Sequence, residues 1–85
     1  MWQLILSRNA QRDRTRLSLD VDERIIEKLD HYRQTSNPLA FSKRLHGDSE
    51  GTHRFQVGDW RAKFFVNNRT IVVTSIRHRS EAYRR

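Results

Sequence analysis

Apolar and polar side chains alternate with the period of a pleated strand through the last third of the chain. In HRFQV, His53, Phe55 and Val57 point one way, and Arg54 and Gln56 the other. In WRAKFFV, Trp60, Ala62, Phe64 and Val66 oppose Arg61, Lys63 and Phe65. TIVVTSI, residues 70–76, is rich in β-branched residues throughout, as a strand inside a sheet should be. Gly58-Asp59 is a tight-turn pair, and Asn67-Asn68 reads as a two-residue hairpin loop, because Asn tolerates the positive φ such loops need. Strands joined by two short turns predict an antiparallel meander.

Upstream the rhythm changes. Residues 2–6 are a short apolar run, too short for a helix and suited to a first strand. Ser7 or Asn9 can cap a following helix over 9–16, which would be solvated on most sides. Residues 18–33 carry a stronger helical signal. Val21, Ile25, Ile26, Leu29 and Tyr32 recur at three and four, with Asp20 as expected N-cap and Glu23 completing a capping-box pattern. Pro38, the only proline, breaks the chain. Residues 41–45 read as extended, with Phe41 and Leu45 as anchors, and HGDSEG as a loop. The predicted class is α+β: an N-terminal strand and two helices packed on one face of a four-stranded, mainly antiparallel sheet. One domain over 1–85 is expected, since this length buries one small core.

Charge adds a partner class. The net charge is +7, from 17 Lys and Arg against 10 Asp and Glu, and only Lys28, Lys43 and Lys63 are lysines. Guanidinium forks suit bidentate contact with phosphate, so nucleic acid or an acidic protein is the expected partner. There is no Cys, and the four His lack zinc-site spacing, so neither a metal nor a cofactor is expected. No apolar run approaches the length of a membrane span. The opening MWQLILSRNA has an apolar patch without a basic leader, so export is not expected and a cytoplasmic location is.

If the apolar strand positions face the helices, the opposite face gathers Arg54, Gln56, Arg61, Lys63, Phe65, Ser75 and Arg77, with no carboxylate on the strands. Such a face is either a solvated outer surface or a phosphate-sized site. Arg79, Tyr83, Arg84 and Arg85 extend its charge. Tyr83 can pack back on the domain, take part in proton transfer or stack on a base. Parity turns His78 toward the core. Asp48 and Glu50 read as plain loop residues. Any catalysis would therefore rest on Arg, Lys and Tyr.

Three pieces carry a family resemblance: Lys43-Arg44-Leu45-His46-Gly47, Arg54-Phe55-Gln56-Val57-Gly58-Asp59-Trp60-Arg61 and His78-Arg79-Ser80-Glu81-Ala82-Tyr83. In composition and separation they resemble the RelE/ParE superfamily of toxins from type II toxin–antitoxin systems. The resemblance implies a ribosome-dependent mRNA endoribonuclease. Such an enzyme cuts in the A site without a metal, by attack of a ribose 2′-OH on the adjacent phosphate. It places Arg61 at the phosphate, Arg54 at a position that is Lys in some nucleases, and Arg77 or Arg79 at the transition state. Tyr83 falls on the C-terminal Tyr that orients or stacks on RNA. Beside these, Lys63, Gln56 and Phe65 of the basic face and Arg84 of the tail are expected as further substrate contacts from their strand parity and charge. Where some nucleases carry a second Lys as proton acceptor, this chain has Thr52. Implied partners are a cognate antitoxin, the ribosome and mRNA. On the same fold, a DNA gyrase inhibitor of ParE type and a catalytically degenerate binding module are the alternatives.

Overall fold

The computed structural model describes residues 1–82. In chain order it contains strand β1 (Gln3–Leu6), helices α1 (Arg8–Arg14) and α2 (Leu19–Gln34), and a 3-10 turn over Pro38–Phe41. Strands β2 (Ser42–Arg44), β3 (His53–Val57), β4 (Trp60–Asn67) and β5 (Thr70–His78) follow, and one helical turn, α3 (Arg79–Ala82), ends the described chain.

Serine caps start both long helices. Ser7 Oγ accepts from the Ala10 amide at 3.1 Å, and Ser18 Oγ from the Val21 amide at 3.3 Å. Asp20, expected to cap α2, instead lies in its first turn with Asp22, where the helix dipole favours carboxylates. Arg14 grips Asp22 with two hydrogen bonds of 2.7 and 3.0 Å, which ties α1 to α2. Those bonds hold the Asp22 carboxyl below its usual pKa. After Pro38 the chain turns into β2.

The sheet order is β1-β5-β4-β3-β2, with β1 parallel to β5 and every other pairing antiparallel. The α+β class is as expected, but the sheet has five strands, not four. The extra one is β2, where Ser42 pairs with Phe55 and Arg44 with His53. Its three residues hold no apolar alternation. Main-chain pairing with the edge of β3 makes it a strand, and periodicity cannot reveal that. The β4–β5 loop is also displaced by one residue from expectation. Asn67 pairs with Thr70, and Asn68 and Arg69 take the positive φ values, 49° and 60°.

The helices cover one face. Ile25, Leu29 and Tyr32 of α2 bury their side chains with Phe55, Ala62, Phe64, Ile71, Val73 and Ile76 of the sheet. Tyr32 stacks on Phe41 and Phe55 at centroid distances of 5.1 and 4.7 Å, and Phe55 stacks on Phe64 at 4.4 Å. His53 continues the column, 5.5 Å from Phe64. Such pairs add about 0.5–1.5 kcal/mol each beyond burial. His53 is half-buried on the side that Phe55 and Val57 share, and burial first, then nearby Arg44, pushes its pKa down.

One irregularity shapes β5. Phe64 pairs with Val73, but Lys63 pairs with Ser75, so Thr74 has no partner on β4. This β-bulge reverses the side-chain parity of the strand. Before it Ile71 and Val73 face the core; after it Ile76 does, and Ser75 and Arg77 turn outward in register with Lys63 and Arg61. Beyond Leu6, α1 replaces β1 along this edge. Ser7 Oγ and Asn9 Nδ2 donate to the Thr74 carbonyl at 3.4 and 3.0 Å, and the buried Asp13 carboxylate accepts from the Ile76 amide at 2.9 Å.

Asp13→Ala would leave that buried amide unpaired. It is expected to lower unfolding free energy by about 1–3 kcal/mol in urea titration, and more than Asn9→Ala, whose bond is exposed.

Candidate functional site

The outer sheet face is built from register. One row across the strands is Gln56–Arg61–Arg77, and the next is Arg54–Lys63–Ser75. Phe65 shares the face further along β4 and pairs with Val72, itself opposite Ile5 of β1. The face therefore has a cationic half and an apolar half. Phe65 is 38% exposed and Ile5 53%.

Arg61 and Lys63 are far less accessible than strand cations usually are, at 8% and 4% exposed. Arg61 folds its guanidinium over the β3–β4 turn, where Nη1 donates to the Gly58 and Trp60 carbonyls at 3.0 and 3.1 Å. Its Nε is buried with no hydrogen-bond partner among the described residues. Arg54 reaches Gln56 Oε1 at 3.4 Å.

The loop between β2 and β3 covers Lys63. Gly51 lies so close to β4 that a Cβ there would meet the Phe64 nitrogen and oxygen at 2.8 Å. The Thr52 amide donates to the Phe64 carbonyl at 3.0 Å, and the Thr74 hydroxyl donates to the Glu50 carbonyl. The bulge residue thus holds the loop. Two carboxylates are thereby fixed over the cations. Asp48 Oδ2 is 2.8 Å from Lys63 Nζ, and Glu50 meets Lys63 at 3.5 Å. Glu50 also meets Arg77 along two edges, at 3.1 and 3.0 Å. Asp13 Oδ2 lies 3.8 Å from Arg77 Nε on the other side.

This corrects the sequence expectation of a face without an acidic partner. Asp48 and Glu50 are not free loop residues; they are the counter-charges of Lys63 and Arg77. The available signal was two acids in a glycine-bracketed loop just before a basic strand. What hid their role was the crossing of that loop over β4. Burial alone would raise the Asp48 carboxyl, but hydrogen bonds from Lys63 and the Glu50 amide, with the charges of Lys63 and Arg77, outweigh it and hold the pKa below normal.

The other expected site residues divide. Gln56 is exposed beside Arg54. Thr52 is exposed, its hydroxyl 2.9 Å from His53 Nδ1. Arg79 opens α3 and leans toward Asp59 of the β3–β4 turn at 3.9 Å rather than toward Arg77's carboxylates. His78 is on the core side, edge-on to Trp60. Tyr83 and Arg84 lie outside the described residues. Among the described residues no group of three or more His or carboxylate side chains is placed to hold a metal ion, and no helix is long and apolar enough to cross a membrane.

Residues 4–83 match the family model described as the ParE toxin of the type II toxin–antitoxin system parDE. Two solved structures share the fold. A chain of the toxin–antitoxin complex RelBE2 from Mycobacterium tuberculosis superposes with a TM-score of 0.74 at 20% identity, covering 91% of this chain and 96% of that one. A chain of the RelB–RelE antitoxin–toxin complex from Methanococcus jannaschii gives a TM-score of 0.67 at 23% identity, covering 93% and 94%. No curated protein sequence matches.

Two outcomes test the loop's attachment. Gly51→Ala is expected to push the loop off β4 and lower stability by about 1–3 kcal/mol in thermal unfolding. Asp48 has a depressed folded-state pKa, so its contribution is full above the ordinary value of 3.8 and is lost as pH falls through the folded value. Asp48→Asn should therefore flatten the acid side of the urea-midpoint profile, from about pH 5 downward, while Asp22 and its Arg14 partner keep theirs.

Proposed function

This chain belongs to the ParE toxin family of type II toxin–antitoxin systems, within the RelE/ParE superfamily, and on that premise we propose that it is an RNA-directed toxin, a metal-independent endoribonuclease acting on ribosome-bound mRNA. The supporting observation is the cross-strand pairing of Arg61 with Arg77 on the outer face, with Arg61 Nε buried and without a partner among the described residues. Like charges directly opposite each other destabilise a sheet, and an unpaired buried charged donor costs about 1–3 kcal/mol or more. An anionic phosphodiester on this row would relieve the first, and the second as well once the Arg61 guanidinium turns out from the Gly58 and Trp60 carbonyls toward it. Two guanidinium groups from paired positions of neighbouring strands, both turned onto one phosphate, would also stabilise the extra negative charge of a pentacoordinate phosphorus.

Within this reading Arg61 binds the scissile phosphate and Arg77 carries the transition-state charge. Arg54 and Gln56 line the strand-edge side, and Phe65 offers a ring for a base. Lys63 acts through the field it adds under Glu50. Arg79, Tyr83 and Arg84 extend the RNA contact beyond the strands, Tyr83 by orienting or stacking on the nucleotide. The action is cytoplasmic, where ribosomes are. A cognate antitoxin, the partner seen with both structural neighbours, holds it inactive.

A second reading has its own observation. Glu50 and Asp48 already pair Arg77 and Lys63, which suits a surface that binds a protein without cutting RNA, as a gyrase inhibitor of ParE type would.

Induced expression followed by primer extension on cellular mRNA separates the two. Cuts at A-site codons are expected from the wild type, with Arg77→Ala reducing them about 100- to 1,000-fold while circular dichroism stays unchanged. An absence of cuts, with double-strand DNA breaks instead, would establish the gyrase reading.

A further inference from the structure

Attack by a 2′-OH needs a group that takes its proton, and Arg61 and Arg77 cannot be that group, since guanidinium stays protonated. We infer that Glu50 is the proton acceptor of the cleavage step, held beside the phosphate by Arg77. This rests on the endoribonuclease reading.

Three observations carry it. Glu50 is the carboxylate in two-point contact with Arg77, whose strand neighbour is the phosphate-binding Arg61. Its side chain is 29% exposed, open to a ligand on the outer face, whereas Asp48 is bound to Lys63 Nζ at 2.8 Å and accepts from the Glu50 amide at 2.8 Å. Its backbone is pinned. Gly51 abuts β4, and Thr74 donates to the Glu50 carbonyl. A carboxylate on a strapped loop is fixed machinery, not a lid that swings away. The charged groups around it are Asp48 of its own loop, Lys63 of β4 and Arg77 of β5, with Asp13 of α1 on the far side of Arg77. The two cations keep a carboxylate tolerable next to a phosphate.

The step balances as follows. The 2′-OH proton passes to a Glu50 carboxylate oxygen while the 2′-oxygen forms its bond to phosphorus. The P–O5′ bond breaks, and the 5′ oxygen takes a proton from water. A 2′,3′-cyclic phosphate and a 5′-hydroxyl result, and Glu50 returns its proton to solvent. No oxidant or metal enters.

The test is single-turnover cleavage of ribosome-bound mRNA by purified toxin, paired with binding to the same complex carrying a 2′-deoxynucleotide at the cut site. Glu50→Gln keeps the shape and the loop attachment. It is expected to lose about 100-fold or more in cleavage with binding to the 2′-deoxy complex unchanged. Asp48→Asn, which removes a neighbouring charge, should stay within about tenfold of wild type, since it takes no proton in the step. The inference is overturned if Glu50→Gln cleaves as fast as wild type or faster, which would make the carboxylate a bystander or a brake on Arg77. A parallel loss of binding and cleavage, or an equal loss in Asp48→Asn, overturns it as well. In each of these cases wild-type cleavage leaves the endoribonuclease reading standing; a wild type that leaves the mRNA intact sinks that reading, and this inference with it.

Discussion

The bulge at Thr74 is the constraint on which the outer face depends. Without it the parity that buries Ile71 and Val73 would carry Ser75 and Arg77 into the core and turn Ile76 outward. One unpaired residue lets both ends of β5 satisfy their surroundings. It also bends the strand where β1 stops and α1 begins, so main-chain groups that lose a strand partner gain side-chain partners. Ser7 and Asn9 take the Thr74 carbonyl, and Asp13 takes the Ile76 amide. A bulge beside a working surface re-aims side chains at the expense of ladder regularity. Here the re-aimed residue is Arg77.

The same residue couples the bulge to the electrostatics of the face. The Thr74 hydroxyl holds the loop that carries Asp48 and Glu50 over Lys63 and Arg77. Burying Lys63 to 4% exposure would be untenable for an isolated ammonium, because desolvation of a charge is far larger than any packing gain. The loop makes it tolerable, and the fit between Gly51 and the β4 backbone is what brings the loop near enough. Charge, loop path and strand irregularity are one arrangement. This is why the basic strand positions do not form an open cationic plate. They form an alternation of cation and carboxylate, with the Arg61 guanidinium at its margin.

The architecture is shared with chains of toxin–antitoxin complexes at 20% and 23% identity, so the helix-covered sheet is compatible with widely different sequences. The outer face is a separate layer of information. Its row positions are set by backbone register, while the residues that fill them, and the loop that crosses them, determine whether the surface binds a phosphate, a protein or both.

Much of the fold was legible in the chain. Alternation in HRFQV and WRAKFFV follows from the two-residue period of a pleat, and the α2 stripe from the 3.6-residue period of a helix. Both are local properties that survive into the structure. The Ser7 cap, the Pro38 break and the Gly58-Asp59 turn are local too, whereas the cap of α2 fell on Ser18 and not on the expected Asp20. Residues 41–45 read as extended, but β2 as a fifth strand was not legible, because SKR has no alternation of its own and becomes a strand only by main-chain pairing with β3. The site was legible as a set of cations and hidden as an arrangement. In TIVVTSIRH the apolar phase slips between Val73 and Ile76, a spacing of three where a strand needs two, and that slip was the trace of the bulge. Which residue would be unpaired could not be read from it, since both parities are acceptable to an isolated strand. Glu50 lay further beyond reach. Its contact with Arg77 spans 27 residues and depends on how a glycine-containing loop crosses β4. The amino-acid sequence by itself determined the elements, the buried faces and the excess of guanidinium. Only the tertiary structure decided that those guanidinium groups meet carboxylates, because that depends on the relative position of segments that no local period relates.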